Sequence, residues 1–195
     1  MRRICVFSGS NLGVRAEYQE VTHALGQEMA ARGLGLVYGG ASVGLMGVLA
    51  NSVLAEGGEV IGVLPRGLFR QELPHTGLTE LREVGSMHER KALMADLADG
   101  FIALPGGFGT FDELFEIITW AQLGLHSKPI GLLDVASYFA PLRALVVHAS
   151  TEGFIPAAHQ ALLMYELSPV NLLDRFAAYT PPPSISKWAE LPPQR

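Results

Sequence analysis

The sequence predicts an α/β fold in three layers: a mostly parallel central sheet with helices on both faces. Three observations predict it. Short apolar runs alternate with helical patterns along the chain. The runs are apolar at nearly every position rather than at every second one, as expected of strands covered on both faces. Three of them end in glycine-rich turns: Ser8-Gly9-Ser10, Gly39-Gly40 with Gly44 and Gly47 beyond, and Gly106-Gly107-Phe108-Gly109. Strand–helix alternation specifies parallel strands joined by crossovers. In such sheets ligands bind at the carboxyl ends of the strands.

Ile4-Cys5-Val6-Phe7 reads as the first strand and ends in Ser8-Gly9-Ser10-Asn11. Val14 to Arg32 reads as a helix stopped by Gly33. Leu36-Val37-Tyr38 is the second strand, and Gly44 to Glu56 the second helix, stopped by Gly57-Gly58. Val60 to Leu64 is the third strand, ended by Pro65. Residues 66–80 read as an irregular surface loop, and Leu81 to Val84 as a short strand. Met87 to Leu97 is a helix, Phe101 to Leu104 a strand, and Phe111 to about Leu123 a strongly apolar helix. Ile130 to Leu133 is the next strand and Tyr138 to His148 the next helix, with short helical pieces near 157–163 and 169–178. Residues 1–180 form one domain without repeats or an internal boundary. Residues 181–195 hold Pro181-Pro182-Pro183 and Pro192-Pro193 and read as a loosely ordered tail.

Composition narrows the function classes. The 195 residues suffice for one compact domain with a sizeable core. A hydrophobic content of 49% with 17% charged residues excludes a disordered or solvating chain. The net charge of −5 and a pI near 5.7, with lysines and arginines scattered, argue against nucleic-acid and membrane-surface binding. Cys5 is the only cysteine, so no internal disulfide forms, which fits a reducing cytoplasm. The apolar run Ile4 to Ser8 is too short for a signal peptide, and no run approaches a membrane span. Low charge with a mean hydropathy of +0.26 points to apolar surface covered by a second subunit. The six histidines show no metal-ligand spacing, so no metal site is expected.

The most informative stretch is Pro105-Gly106-Gly107-Phe108-Gly109-Thr110-Phe111-Asp112-Glu113. Strand, glycine loop and helix N-terminus is how α/β proteins hold a phosphate: first-turn N–H groups lack intrahelical partners and the helix dipole attracts an anion. A carboxylate within a turn of that anion repels it unless it has other work. Thr110 and Glu113 have two readings. Thr-x-x-Glu is a capping box. Alternatively, with Phe111, Leu114, Phe115, Ile118 and Ala121 forming the main stripe, Glu113, Glu116 and Trp120 face a second covered surface such as a subunit interface. Arg90 falls within the stripe Met87, Leu93, Met94, Leu97 and Ala98. It either snorkels from a helix start or meets a buried acid or a ligand anion, and the second reading is favoured. The first two glycine turns read as βα turns and tight packing, or as ligand contacts. Neither is a triphosphatase P-loop.

Read in order, Tyr38-Gly39-Gly40-Ala41-Ser42-Val43-Gly44-Leu45-Met46-Gly47, Met87-His88-Glu89-Arg90-Lys91, the Pro105 to Glu113 motif, and Ile118-Thr119-Trp120-Ala121-Gln122-Leu123-Gly124 resemble the LONELY GUY (LOG) family. These are cytokinin riboside 5′-monophosphate phosphoribohydrolases, some once labelled possible lysine decarboxylases. The resemblance spans roughly residues 4–180. It implies a Rossmann-like fold, a homodimer with sites near the interface, and no metal or redox cofactor. Carried over motif by motif, it implies Arg90 and Glu113 as the catalytic pair. It implies substrate contacts from Glu72, Arg90, Lys91, Gly107, Phe108, Gly109, Thr110, Phe111, Asp112, Glu113 and Thr119. The sequence departs at Ala41, where the family usually has glycine, and at Ser8, where it often has cysteine.

The function that follows is hydrolysis of the N-glycosidic bond of adenosine 5′-monophosphate-type nucleotides. The glycine loop holds the phosphate, and Glu113 supports positive charge developing on the ribose. The alternative is a non-catalytic carrier of a nucleotide or phosphorylated cofactor, which has no need of Glu113. A pyridoxal phosphate decarboxylase would need a Schiff-base lysine and a longer chain.

Overall fold

The computed structural model describes residues 1–66 and 73–181. Its strands are β1 (Arg3–Phe7), β2 (Gly35–Tyr38), β3 (Val60–Pro65), β4 (Glu80–Val84), β5 (Gly100–Ala103), β6 (Ile130–Leu133) and β7 (Leu163–Glu166). Its α-helices are α1 (Ala16–Ala31), α2 (Gly44–Ala55), α3 (Met87–Leu97), α4 (Phe108–Gln122), α5 (Ala140–Thr151) and α6 (Pro169–Ala177). The strands form one sheet in the order β4-β3-β2-β1-β5-β6-β7, with every pairing parallel. The order reverses between β1 and β5. The crevice outside their carboxyl ends is therefore the ligand position of a doubly wound sheet.

The central strands alternate between two cores. Ile4 and Val6 pack toward α1, α2 and α6 with Leu25, Met29, Leu49, Val53, Leu172 and Phe176. Cys5 and Phe7 pack toward α3, α4 and α5 with Phe101, Met94, Leu114, Ile117 and Phe139. Both faces are covered, which explains the uniformly apolar runs. No helix among the described residues is long and apolar enough to cross a membrane.

Four expectations need correction. The chain forms a seventh strand, β7, between the expected helical pieces near 157–163 and 169–178, where no element is expected. It is short, and its β-branched content is nil, so no local pattern marks it. The expected helix at Tyr138 begins at Ala140, after a 3₁₀ turn over Val135–Ser137. In that turn Ala136 (φ 51°) and Ser137 (φ 59°) both adopt left-handed backbone, which costs a non-glycine residue ~1–2 kcal/mol. Within α4 the buried stripe is Thr110, Leu114 and Ile117, while Phe115 is exposed rather than in the core. In α3, Met87 is exposed rather than part of the buried stripe. The expected loosely ordered tail lies outside the described residues apart from Pro181, as do residues 67–72 of the expected surface loop at 66–80.

Candidate active site

Three loops meet at the switch point, and the first is their hub. The Gly9 N–H donates to the Pro105 carbonyl (3.0 Å) and the Gly9 carbonyl accepts from the Leu45 N–H (3.0 Å). The glycines of the second loop serve packing. A Cβ on Gly44 would lie 2.2 Å from the Ser10 carbonyl carbon, and one on Gly39 would lie 2.0 Å from an Arg90 guanidinium nitrogen. The third loop is different. Gly106 is sterically forced, since its Cβ would meet Thr110 Oγ1 at 2.1 Å, but nothing among the described residues lies within 4 Å of a Cβ on Gly107 or Gly109. Fold alone does not demand these two glycines. They leave the N-terminus of α4 open to a ligand.

Gly107 is the N-cap of α4 and makes no side-chain cap, so the capping box of Thr110 and Glu113 does not form. Glu113 lies in the second turn, inside the helix. A side-chain cap does form at the start of α3. Ser86 Oγ accepts from the Glu89 N–H (3.2 Å), and Glu89 accepts from the Gly85 N–H (2.7 Å). This starts α3 and aims its first turn at the same crevice.

Arg90 is 5% exposed, so it does not snorkel. Its guanidinium donates to the Gly39 carbonyl (3.1 Å) and rests near Met87 Sδ (3.8 Å). Burial raises the Cys5 thiol well above its ordinary pKa. The Glu113 carboxylate adds to that rise and the Arg90 guanidinium opposes it. Both charges therefore act on Cys5 of the central strand, which faces the α3–α4 side of the sheet. Lys91 sits between helices, with Nζ 3.1 Å from Asp112 Oδ2 and 3.0 Å from Glu116 Oε1. Glu116, expected to face an interface beside Trp120, is thus held within its own chain. Burial opposes the charge on Lys91, but the Glu116 and Asp112 carboxylates more than compensate and raise its pKa.

Arg90, Lys91, Gly107, Gly109, Thr110, Asp112 and Glu113 are thus gathered where α3 and α4 begin. Thr110 is buried and Phe111 is partly buried against the core, while Phe108 is 92% exposed. Thr119 is not brought there. It lies on the exposed side of α4, with its hydroxyl donating to the Phe115 carbonyl (2.7 Å). Glu72 lies outside the described residues. Its neighbour Leu73 is anchored to the second loop, its carbonyl accepting from the Ser42 N–H (2.9 Å). Two residues not counted among the expected substrate contacts also reach the crevice. Ser8 is buried with an Oγ that finds no hydrogen-bond partner among the described residues. The Tyr138 hydroxyl donates to the Gly106 carbonyl. Among the described residues no group of three His, Cys, Asp or Glu could hold a metal ion.

A family profile described as "Possible lysine decarboxylase" matches residues 46–176. A rice protein, "Probable cytokinin riboside 5′-monophosphate phosphoribohydrolase LOGL5", is 49% identical over 182 residues, covering 93% of this chain and 74% of its own. The chain belongs to the LOG family. Cytokinin riboside 5′-monophosphate phosphoribohydrolase LOG3 of Arabidopsis thaliana is 45% identical over 180 residues, covering 92% of this chain and 84% of its own. Beyond LOG sequences, the fold matches the molybdenum cofactor carrier protein of Chlamydomonas reinhardtii. The TM-score is 0.69 with 19% identity over 91% of this chain and 99% of that one. Likeness at that identity shows the shared Rossmann-like fold alone.

Proposed function

We propose that this LOG-family chain is a phosphoribohydrolase that cleaves the N-glycosidic bond of cytokinin riboside 5′-monophosphates and of AMP, releasing free base and ribose 5-phosphate. The observation that carries the reading is the juxtaposition of an open helix N-terminus, at Gly107 and Gly109, with a buried arginine and a glutamate whose charges both act on Cys5. The first-turn N–H groups of α4 bind the 5′-phosphate, and that binding energy positions the sugar. Departure of the base leaves positive charge on the ribose ring. Glu113 stabilises that charge and polarises the attacking water. Arg90, fixed by the Gly39 carbonyl, orients Glu113 and the ribose–phosphate oxygens. Lys91 braces the two helices through Asp112 and Glu116 and adds positive charge at the rim. Glu72, Phe108, Phe111 and Thr110 complete the substrate contacts.

The active species is a homodimer. Phe108, Phe115 and Leu123 share the outward side of α4 and are all exposed, with Leu125 just beyond. Exposed apolar clusters of this kind mark contact surfaces. Thr119 lies on that same side, so its substrate contact is with the partner's site. A lone buried cysteine suits the cytoplasm. Incubating the purified protein with AMP and with isopentenyladenosine 5′-monophosphate, and following free base, tests the proposal. Release of base supports it. Tight binding of both nucleotides without release would favour a carrier.

A further inference from the structure

The turn after β6 spends two left-handed non-glycine residues, Ala136 and Ser137, at the sheet edge where the crevice lies. Strain of this kind persists where the surroundings fix it, and it concentrates at functional sites. Here the fixing is explicit. Asp134 Oδ1 accepts from the Phe139 N–H (2.6 Å), and the Asp134 N–H donates to the Glu166 carbonyl (2.8 Å). The product of the turn is the position of one side chain. The Tyr138 ring stands edge-on to Phe139 (5.1 Å between centroids) and to Tyr18 (6.0 Å), and its hydroxyl donates to the Gly106 carbonyl.

That carbonyl belongs to the peptide unit joining Gly106 to Gly107. The unit is planar and trans, so its N–H points opposite to its C=O. A carbonyl held by Tyr138 turns the Gly107 N–H away from Tyr138. A peptide between two glycines is otherwise among the freest in a chain to rotate. Gly107 is the N-cap of α4, so its N–H is one of the donors without an intrahelical partner.

We infer that Tyr138 is a positioning residue that locks the Gly106–Gly107 peptide with its N–H presented to the substrate's phosphate. This rests on the reading that the glycine loop holds the 5′-phosphate. Tyr138 touches no reacting atom. It acts through the loop, by sparing the phosphate the ordering of a mobile donor.

Tyr138→Phe removes only the hydroxyl and keeps both ring contacts. Loss of one ordered donor weakens ribose 5-phosphate binding, measured by calorimetry, about five- to tenfold. KM for AMP rises by the same factor while kcat stays within about twofold, the mark of lost uniform binding. A merely structural tyrosine would instead lower Tm and leave KM unchanged. An unmutated readout runs in parallel. In the wild-type protein, added ribose 5-phosphate shifts the Gly107 amide resonance and slows its hydrogen exchange. Equal affinity in wild type and variant, or a Gly107 amide indifferent to ribose 5-phosphate, overturns the role of Tyr138. Wild type that binds no ribose 5-phosphate at all is a different result, and it sinks the functional reading beneath it.

Discussion

Gly106, Gly107 and Gly109 stand within four residues of one another and do different work. Gly106 is glycine because Thr110 and the Gly9 backbone fill the space a side chain would need. Gly109 is glycine although no described residue fills the space a side chain would take. Substitution by alanine separates the two reasons. Gly106→Ala should lose ~1–3 kcal/mol of stability through overpacking. Gly109→Ala, inside the first turn of α4, should keep stability or gain up to ~1 kcal/mol from better helix propensity. It should nonetheless bind nucleotide more weakly, because its methyl group occupies the approach to the N–H groups. Thermal unfolding and nucleotide titration of the two variants check both halves. A Gly109→Ala protein with unchanged affinity would show that the loop is open for another reason.

At the scale of elements, the end of α4 is fastened by a histidine that must be neutral. His126 Nε2 donates to the Ile117 carbonyl (3.0 Å) while Nδ1 accepts from the Lys128 N–H (3.1 Å). Both nitrogens are committed, so a second proton would break the Lys128 bond. Burial lowers its pKa below the ordinary 6.5, and Lys128 adds to that. The unfolded chain therefore takes up the proton first on acidification. The contribution of His126 is complete above about pH 6.5 and is lost as pH falls below that value. His75, also lowered by burial, acts in the same direction. Urea midpoints measured from pH 7.5 down to pH 5 should decline, and His126→Gln should flatten part of the decline. A variant with the same slope as wild type would remove His126 from the account. The elements themselves were largely readable from sequence, because uniformly apolar runs and glycine stops are local signals. Those at Leu36 to Tyr38 and Ile130 to Leu133 needed nothing more. What was not readable depends on neighbours. Thr110-x-x-Glu113 and Ser86-x-x-Glu89 have the same capping pattern, and only packing decides that the second pair caps a helix start. Edge strand β7 exists because β6 offers it a ladder. At the site, Arg90 was legible as a charge in an apolar stripe. Tyr138 was not, because its partner Gly106 lies 32 residues away in sequence.

At the scale of the whole molecule, one chain leaves apolar surface uncovered. Phe115 is 43% and Leu123 48% exposed on one side of α4, and Leu145 of α5 is 57% exposed. Covering side chains of this size is worth ~1.5–3 kcal/mol each. Most such assemblies are two-fold symmetric, which brings the same helix of a second copy alongside. Light scattering at micromolar concentration should give twice the chain mass of 21.0 kDa. Leu123→Asp with Phe115→Glu should shift the protein to monomer without unfolding it, since neither residue is in the core. A wild-type monomer, or a double variant that stays dimeric, would move the interface away from α4.

The central claim is that Glu113 performs chemistry rather than building the helix. Its position inside α4 removes the capping role, and its charge reaches the same strand as that of Arg90. The most direct test is single-turnover release of free base from isopentenyladenosine 5′-monophosphate by wild type and by Glu113→Gln, with nucleotide affinity and Tm measured on the same samples. The amide keeps the shape of the side chain and removes its charge. The account predicts a loss of on the order of 10²–10⁴-fold in the rate of base release, with affinity and Tm little changed. A variant that releases base at the wild-type rate would contradict it.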